Sequence, residues 1–216
     1  MTFRRVFLSS LIAPILIATA LAQAGLVIQP KGDQTVNPST GVTTLPQGGS
    51  VLDNAHGIRI EAAYIEHKRD DFVKATNATI FTSGQTIKTP SLNYAIQADR
   101  VDIAGPLEVS SSDVTGLKAD RAVAFLKAER VVALGNVRSN APVLAANAVV
   151  FDTKKRTAFL YGNYRFESKD GKTKLSQAGA ESALLVNFPK SGSASATTKI
   201  AADDRALYLK LIEQSR

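Results

Sequence analysis

From Val51 onward, short apolar runs rich in Val, Ile, Phe, Tyr and Thr alternate with clusters of charged residues. The period and the β-branched content predict strands there. The charged clusters "EHKRDD" (66–71), "LKAER" (126–130) and "DTKKR" (152–156) read as hairpin tips. Hydrophilic tips fit, because turn backbone needs water or its own side chains as partners. Residues 30–50, "PKGDQTVNPSTGVTTLPQGGS", hold few large apolar side chains. They are expected to be a mobile lead-in or a loose edge segment rather than core. The division so predicted is a leader over 1–24, a flexible lead-in over 25–50 and one β domain over 51–216.

The pattern repeats. "LKADRAVAFLKAERVVALGNVR" (117–138) lies over "LAANAVVFDTKKRTAFLYGNYR" (144–165) without a gap, at an offset of 27 residues. Leu117 falls on Leu144, Ala119 on Ala146, Asp120 on Asn147, Val123 on Val150 and Gly135 on Gly162. A fainter copy, "IRIEAAYIEHKRDDFVKATNAT" (58–79), fits the first at an offset of 59, and shorter relatives stand at 97–109 and 179–188. Each full copy reads as two strands around a polar tip. Gly135 and Gly162 fall where each second strand should end, a place where positive φ or a bulge lets the chain turn into the next layer. The Asn that follows each glycine tolerates the left-handed region too. Repeats of this length imply units that bury an apolar face only by stacking on neighbours.

Ala, Leu, Lys and Glu in 117–135 would also allow a helix. The aligned copy, with "VVFD" and "TAFLYGNY", is poor helix material, so strand is preferred for both. The tail "ADDRALYLKLIEQSR" (202–216) stays open: Asp203 or Asp204 can cap a short helix, yet Leu207, Leu209 and Leu211 alternate like a strand.

Residues 1–24 have a basic start at Arg4 and Arg5, an apolar stretch from Val6 to Leu21, and Ala22 and Ala24 around Gln23. This is the layout of a secretory leader cleaved after Ala24. The rival reading is a retained anchor, but Ser9, Ser10 and Pro14 interrupt the stretch, which is short against the roughly 20 residues a span needs. Loss of Arg4 and Arg5 would lower the formal charge from +7 to +5. There is no cysteine, so neither disulfides nor an acylated cysteine is available, and stability must come from burial and strand pairing.

The pair "LKADRAVAF…ALGNVR" and "LAANAVVFD…YGNYRF" resembles the OstA-type domain of the lipopolysaccharide-transport proteins LptA and LptC and of the N-terminal part of LptD. The resemblance covers about 58–188. The chain departs from the pattern at Thr76-Asn77-Ala78, where the glycine phrase belongs, and at Gly105-Pro106-Leu107 in a truncated copy. The resemblance implies an all-β, open β-jelly roll of stacked antiparallel sheets, and a periplasmic carrier or bridge that shields acyl chains of lipopolysaccharide or a related glycolipid. It also implies partners: the glycolipid, and further OstA-like domains or copies of itself joined by exposed strands.

Candidates for an acyl-chain lining are the aligned residues Val132, Leu134 and Val137 with Phe159, Tyr161 and Tyr164, together with Val123, Val150 and Phe151. The same residues could equally fill a closed sandwich core. Small Ala and Val side chains, no Trp and 6% aromatics favour room between sheets. Each methylene sheltered there gains about 0.8 kcal/mol. The tips carry Lys127, Arg130, Lys154, Lys155, Arg156, Lys169, Lys172 and Lys174, either a solvated surface or a site for anionic head groups. Segments near 51–65 and 180–212 are candidate edges for pairing.

No enzyme motif is present: no G-x-S-x-G elbow, phosphate loop or H-E-x-x-H, and no Cys nucleophile. His56 and His67, beside Asp53 and Asp70, lack a ligand spacing and read as surface residues; no metal or other cofactor is expected. Asn77-Ala78-Thr79 is a glycosylation sequon by pattern only. The pI of 9.7 comes from cations mixed with acids over several tips, which with a leader argues against nucleic acid. The alternative to a lipid carrier is a non-enzymatic envelope scaffold with a filled core, binding a protein or the cell wall.

Overall fold

A computed structural model describes residues 21–23, 26–82, 84–111 and 114–216. The leader expectation and its cleavage point after Ala24 therefore lie almost wholly outside the described residues. Five short strands come first: β1 (Leu21–Gln23), β2 (Leu26–Pro30), β3 (Thr35–Val36), β4 (Val42–Leu45) and β5 (Gly49–Asp53). Seven long ones follow: β6 (Ile58–Lys68), β7 (Phe72–Thr82), β8 (Gln85–Ala95), β9 (Arg100–Ser111), β10 (Leu117–Phe125), β11 (Arg130–Ser139) and β12 (Val143–Asp152). The chain ends with β13 (Thr157–Tyr161), β14 (Tyr164–Glu167), β15 (Lys174–Gln177), β16 (Ala183–Asn187), β17 (Ser195–Thr197) and helix α1 (Ala202–Gln214).

From β5 to β12 each strand pairs antiparallel with the next. This single meander is folded on itself along one crease. The column of residues at the crease is continuous in the register: Ala63 faces Asn77, and the line continues through Thr89 and Pro90, Gly105 and Pro106, Asp120, Gly135 and Asn136, Asn147, then Gly162 and Asn163. Each long strand thus gives one half to a first layer and the other to a second. At the two ends the task is split between strands. β5 and β4 pair with the two halves of β6, and β14 and β13 with the two halves of β12.

The Gly-Asn phrases are the corners. On β11, Gly135 and Asn136 together oppose the single Asn147 of β12, a bulge that bends the strand. Gly135 has φ +72° and Asn136 φ +45°. A Cβ on Gly135 would lie 2.4 Å from Asp120 Oδ2, the oxygen that accepts a 2.8 Å hydrogen bond from Asn136 Nδ2. Gly162 repeats the arrangement at φ +69° against Asn147. Gly135 therefore lies inside a continuous strand, not at its end as the repeat alone implied.

Three further readings meet the structure. Within 26–50, read from composition as flexible lead-in, β2 and β4 belong to the sheet, and Leu26, Ile28 and Leu45 are buried. Their partners on β5 and β6 lie about 20 residues or more ahead in sequence, so local composition conceals them. The tail, left open by its sequence, is the one helix among the described residues, with Asp203 and Asp204 in the first turn, where the helix dipole favours acids. Tyr208, Leu211 and Ile212 form its buried stripe. Finally, the edge candidates divide: β17, outermost among the described strands together with β1, β3 and β15, lies within 180–212 as expected, whereas Ile58–Lys68 is paired on both sides.

Candidate functional site: the interior between the layers

Inside the fold, inward residues step by two along a strand and by three across the crease. Leu117, Ala119, Ala122 and Ala124 follow this rule, as do Leu144, Ala146, Val149 and Phe151. These positions face one core shared by both layers. It is densely filled toward the amino-terminal strands, where Ile60, Ile65, Val73 and Val101 are all buried.

Further along, the layers part. A cavity of about 310 Å³ opens between them, lined by Ile87, Leu107, Val109 and Leu117 of the first layer and by Ile103, Ala122, Val131, Ala133 and Phe151 of the second. Ala122 and Ala133 make the space: a larger side chain at either would point into it. The mouth lies opposite the crease, between Gly84, Gln85 and Ser111 on one lip and Thr153, Arg156 and Phe188 on the other. Arg156 is held there by donating from Nε to the Phe188 carbonyl at 2.9 Å.

The predicted lining divides between two faces. Val137, Phe151 and Tyr164 belong to the interior, Phe151 at the cavity itself. Val132, Leu134, Val150, Phe159 and Tyr161 lie on the outer face of the second layer, in a separate cluster with Tyr208, Leu211 and Ile212 of α1. Val123 is directly opposite Val132 and shares that outer face. The division has a physical cause: the bulge at Gly135–Asn136 shifts the phase, and α1 makes the outer face as apolar as the inner one. Sequence reasoning missed Ala122, Val131 and Ala133, which the three-residue step at the crease would have found.

Several tip cations are engaged within the fold. Arg130 pairs with the buried Asp152 at 3.0 Å, Lys155 with Asp204 at 2.7 Å and Lys174 with Glu167 at 3.0 Å.

His56 lies exposed in the turn after β5, as expected, whereas His67 is not a surface residue. His67 is 2% exposed on the inner face, and neither ring nitrogen has a hydrogen-bond partner among the described residues. Burial pushes its pKa down, because the charged ring would lose hydration without gaining a partner. The unfolded chain therefore binds a proton that the folded chain resists. Stability from this group is complete above about pH 6.5, the ordinary histidine value, and falls as pH drops below it. Urea midpoints between pH 7.5 and pH 5 should decline in the parent protein and much less in His67→Leu. For Asp53, burial pushes the carboxyl up, but hydrogen bonds from Tyr94 and His56 outweigh it and hold the pKa below the usual range. Its contribution is therefore lost only at more acid pH, below about 4, which separates the two effects.

No protein-family model matches this chain, and no curated protein matches it. Among solved structures it is similar to LptH, the LptA-homologous periplasmic component of the conserved lipopolysaccharide transport device from Pseudomonas aeruginosa. That match has 11% identity and a TM-score of 0.37, and covers 59% of this chain and 76% of the other. Among the described residues no helix is long and apolar enough to cross a membrane, which says nothing of spanning by strands. The strand pairings themselves define the architecture: one antiparallel sheet folded along a crease, an open β-jelly roll.

Proposed function

We propose that this chain is a non-enzymatic carrier or bridge of the periplasm that shelters an acyl chain of lipopolysaccharide or a related glycolipid between its two layers. The observation that carries the reading is the apolar cavity with an open mouth between Ser111 and Arg156. At about 310 Å³ it stands at the small end of ligand pockets, which run from about 300 to 1,000 Å³. That suits part of one chain at a time, and each methylene sheltered contributes about 0.8 kcal/mol. Joining to a second copy or another OstA-like domain fits the outermost strands. Cleavage after Ala24 would remove Leu21–Gln23 from its pairing with β2 and leave β2 as an edge for a partner strand.

The test fills the hollow. Ala122→Leu with Ala133→Leu should weaken binding of a fluorescent fatty acid at least about tenfold, or ~1.4 kcal/mol, while the thermal midpoint stays close to that of the parent. Unchanged binding would dispose of the cavity as the site. A filled-core scaffold is the second reading, favoured by the dense packing of the amino-terminal half. It requires that the parent protein bind no fatty acid at all.

A further inference from the structure

The lips of the two layers are joined at one place by a polar cluster that the acyl-shelter reading does not use. Asp53 ends β5 in the first layer, and His56 stands in the turn that follows it. Tyr94, near the end of β8, and Asp99, in the turn before β9, belong to the second layer. The Tyr94 hydroxyl crosses the gap and donates to Asp53 Oδ2 at 2.7 Å. That same oxygen lies 2.7 Å from His56 Nδ1, and the other ring nitrogen, Nε2, lies 3.7 Å from Asp99 Oδ1. Asp53 Oδ1 accepts from the backbone N–H groups of Ala55 and His56, which fixes the carboxylate within its own turn. Asp53 is 4% exposed and Tyr94 2%, so the bond between them is shielded from competing water.

We propose that Asp53, His56, Tyr94 and Asp99 form a clasp that holds the lips together on the amino-terminal flank and so sets how far the mouth of the cavity extends. The imidazole stands between carboxylates from opposite lips. Without it, Asp53 and Asp99 would face each other as like charges. On the other flank the lips at Gly84 and Ser111 stand across the cavity mouth from those at Thr153 and Arg156. An acyl chain therefore enters there, and reaches the amino-terminal half only when the clasp opens. This step rests on the acyl-shelter reading; the existence of the clasp does not.

The absence of native cysteine allows two spin labels to be placed cleanly on the exposed tips, by Asn54→Cys and Gln97→Cys. Their separation is measured by pulsed electron resonance in the full chain, with Tyr94→Phe, with His56→Ala and with both. A second pair, Arg69→Cys and Gln97→Cys, lies within the second layer and serves as control. A clasp predicts one narrow distance in the parent, lengthened by several ångströms and broadened in the double variant, with the control pair unchanged. An unchanged distance across the lips overturns the proposal, and so does equal broadening of both pairs, which would mean loss of packing throughout. Fatty-acid uptake is then compared in the same proteins. Faster or greater uptake by the opened variant supports gating, whereas equal uptake by both refutes it. No uptake by either, with the distance lengthened, leaves the clasp standing and removes the acyl-shelter reading alone.

Discussion

Phe159→Ala should be the most damaging of the side-chain truncations, lowering unfolding stability by about 3–5 kcal/mol. Phe159 is fully buried, with its ring 5.1 Å from that of Tyr208 and 6.2 Å from that of Tyr161. It lies at the seam where α1 covers the outer face of the second layer. Removing the ring leaves a hole that strands β12, β13 and β16 cannot close, since they are tied to one another by backbone bonds. The helix is expected to loosen with it, because its apolar stripe of Tyr208, Leu211 and Ile212 has no other surface to cover. Denaturant unfolding measures the stability loss, and hydrogen exchange over 202–214 should show protection falling there first. A loss below about 1 kcal/mol would mean that the outer cluster is not a packed core. The same variant should keep fatty-acid binding at temperatures where it is folded, since Phe159 does not line the cavity.

The second large effect is expected at the crease. Gly135→Val places a β-branched residue at φ +72°, with its Cβ directed at the Asp120 carboxylate. The backbone conformation alone costs about 1–3 kcal/mol, and displacing Asp120 breaks its bond to Asn136. Together these should lower stability by more than the same change on an exposed strand, where valine is favoured. Asp120→Ala in the same chain should recover part of the loss by removing the clash, but not the part due to φ. A double-mutant cycle by urea denaturation separates the two terms. Strict additivity would show that Gly135 and Asp120 do not meet as described.

How much of this was legible beforehand follows from the range of each interaction. The hairpin tips at 66–71, 126–130 and 152–156 contain the observed turns, because a turn is specified by residues adjacent in sequence. The Gly-Asn phrases were recognised as places of positive φ, and they are. Their role as corners within strands was not visible, since it depends on Asp120 and Asn147 across the sheet. The strands in 26–53 were hidden for a like reason: Thr43 and Thr44 gain their place only by pairing with His67 and Glu66. In the lining, Leu134 and Phe159 drew attention as aligned apolar positions of the repeat, yet the residues that make room are Ala122 and Ala133. Hollowness is signalled by what is small, and the periodic signal is misleading unless its phase is advanced at every bulge.

The crease also governs how such a molecule can grow. Each of the seven long strands β6 to β12 crosses it once, so duplicating a two-strand unit of 27 residues would insert cleanly. With strands about 4.7–4.9 Å apart, one such unit adds roughly 9–10 Å along the gutter and leaves its cross-section untouched. Reach is thereby uncoupled from bore: lineages of this architecture can change the distance they span by copying hairpins, without re-solving the packing of the walls.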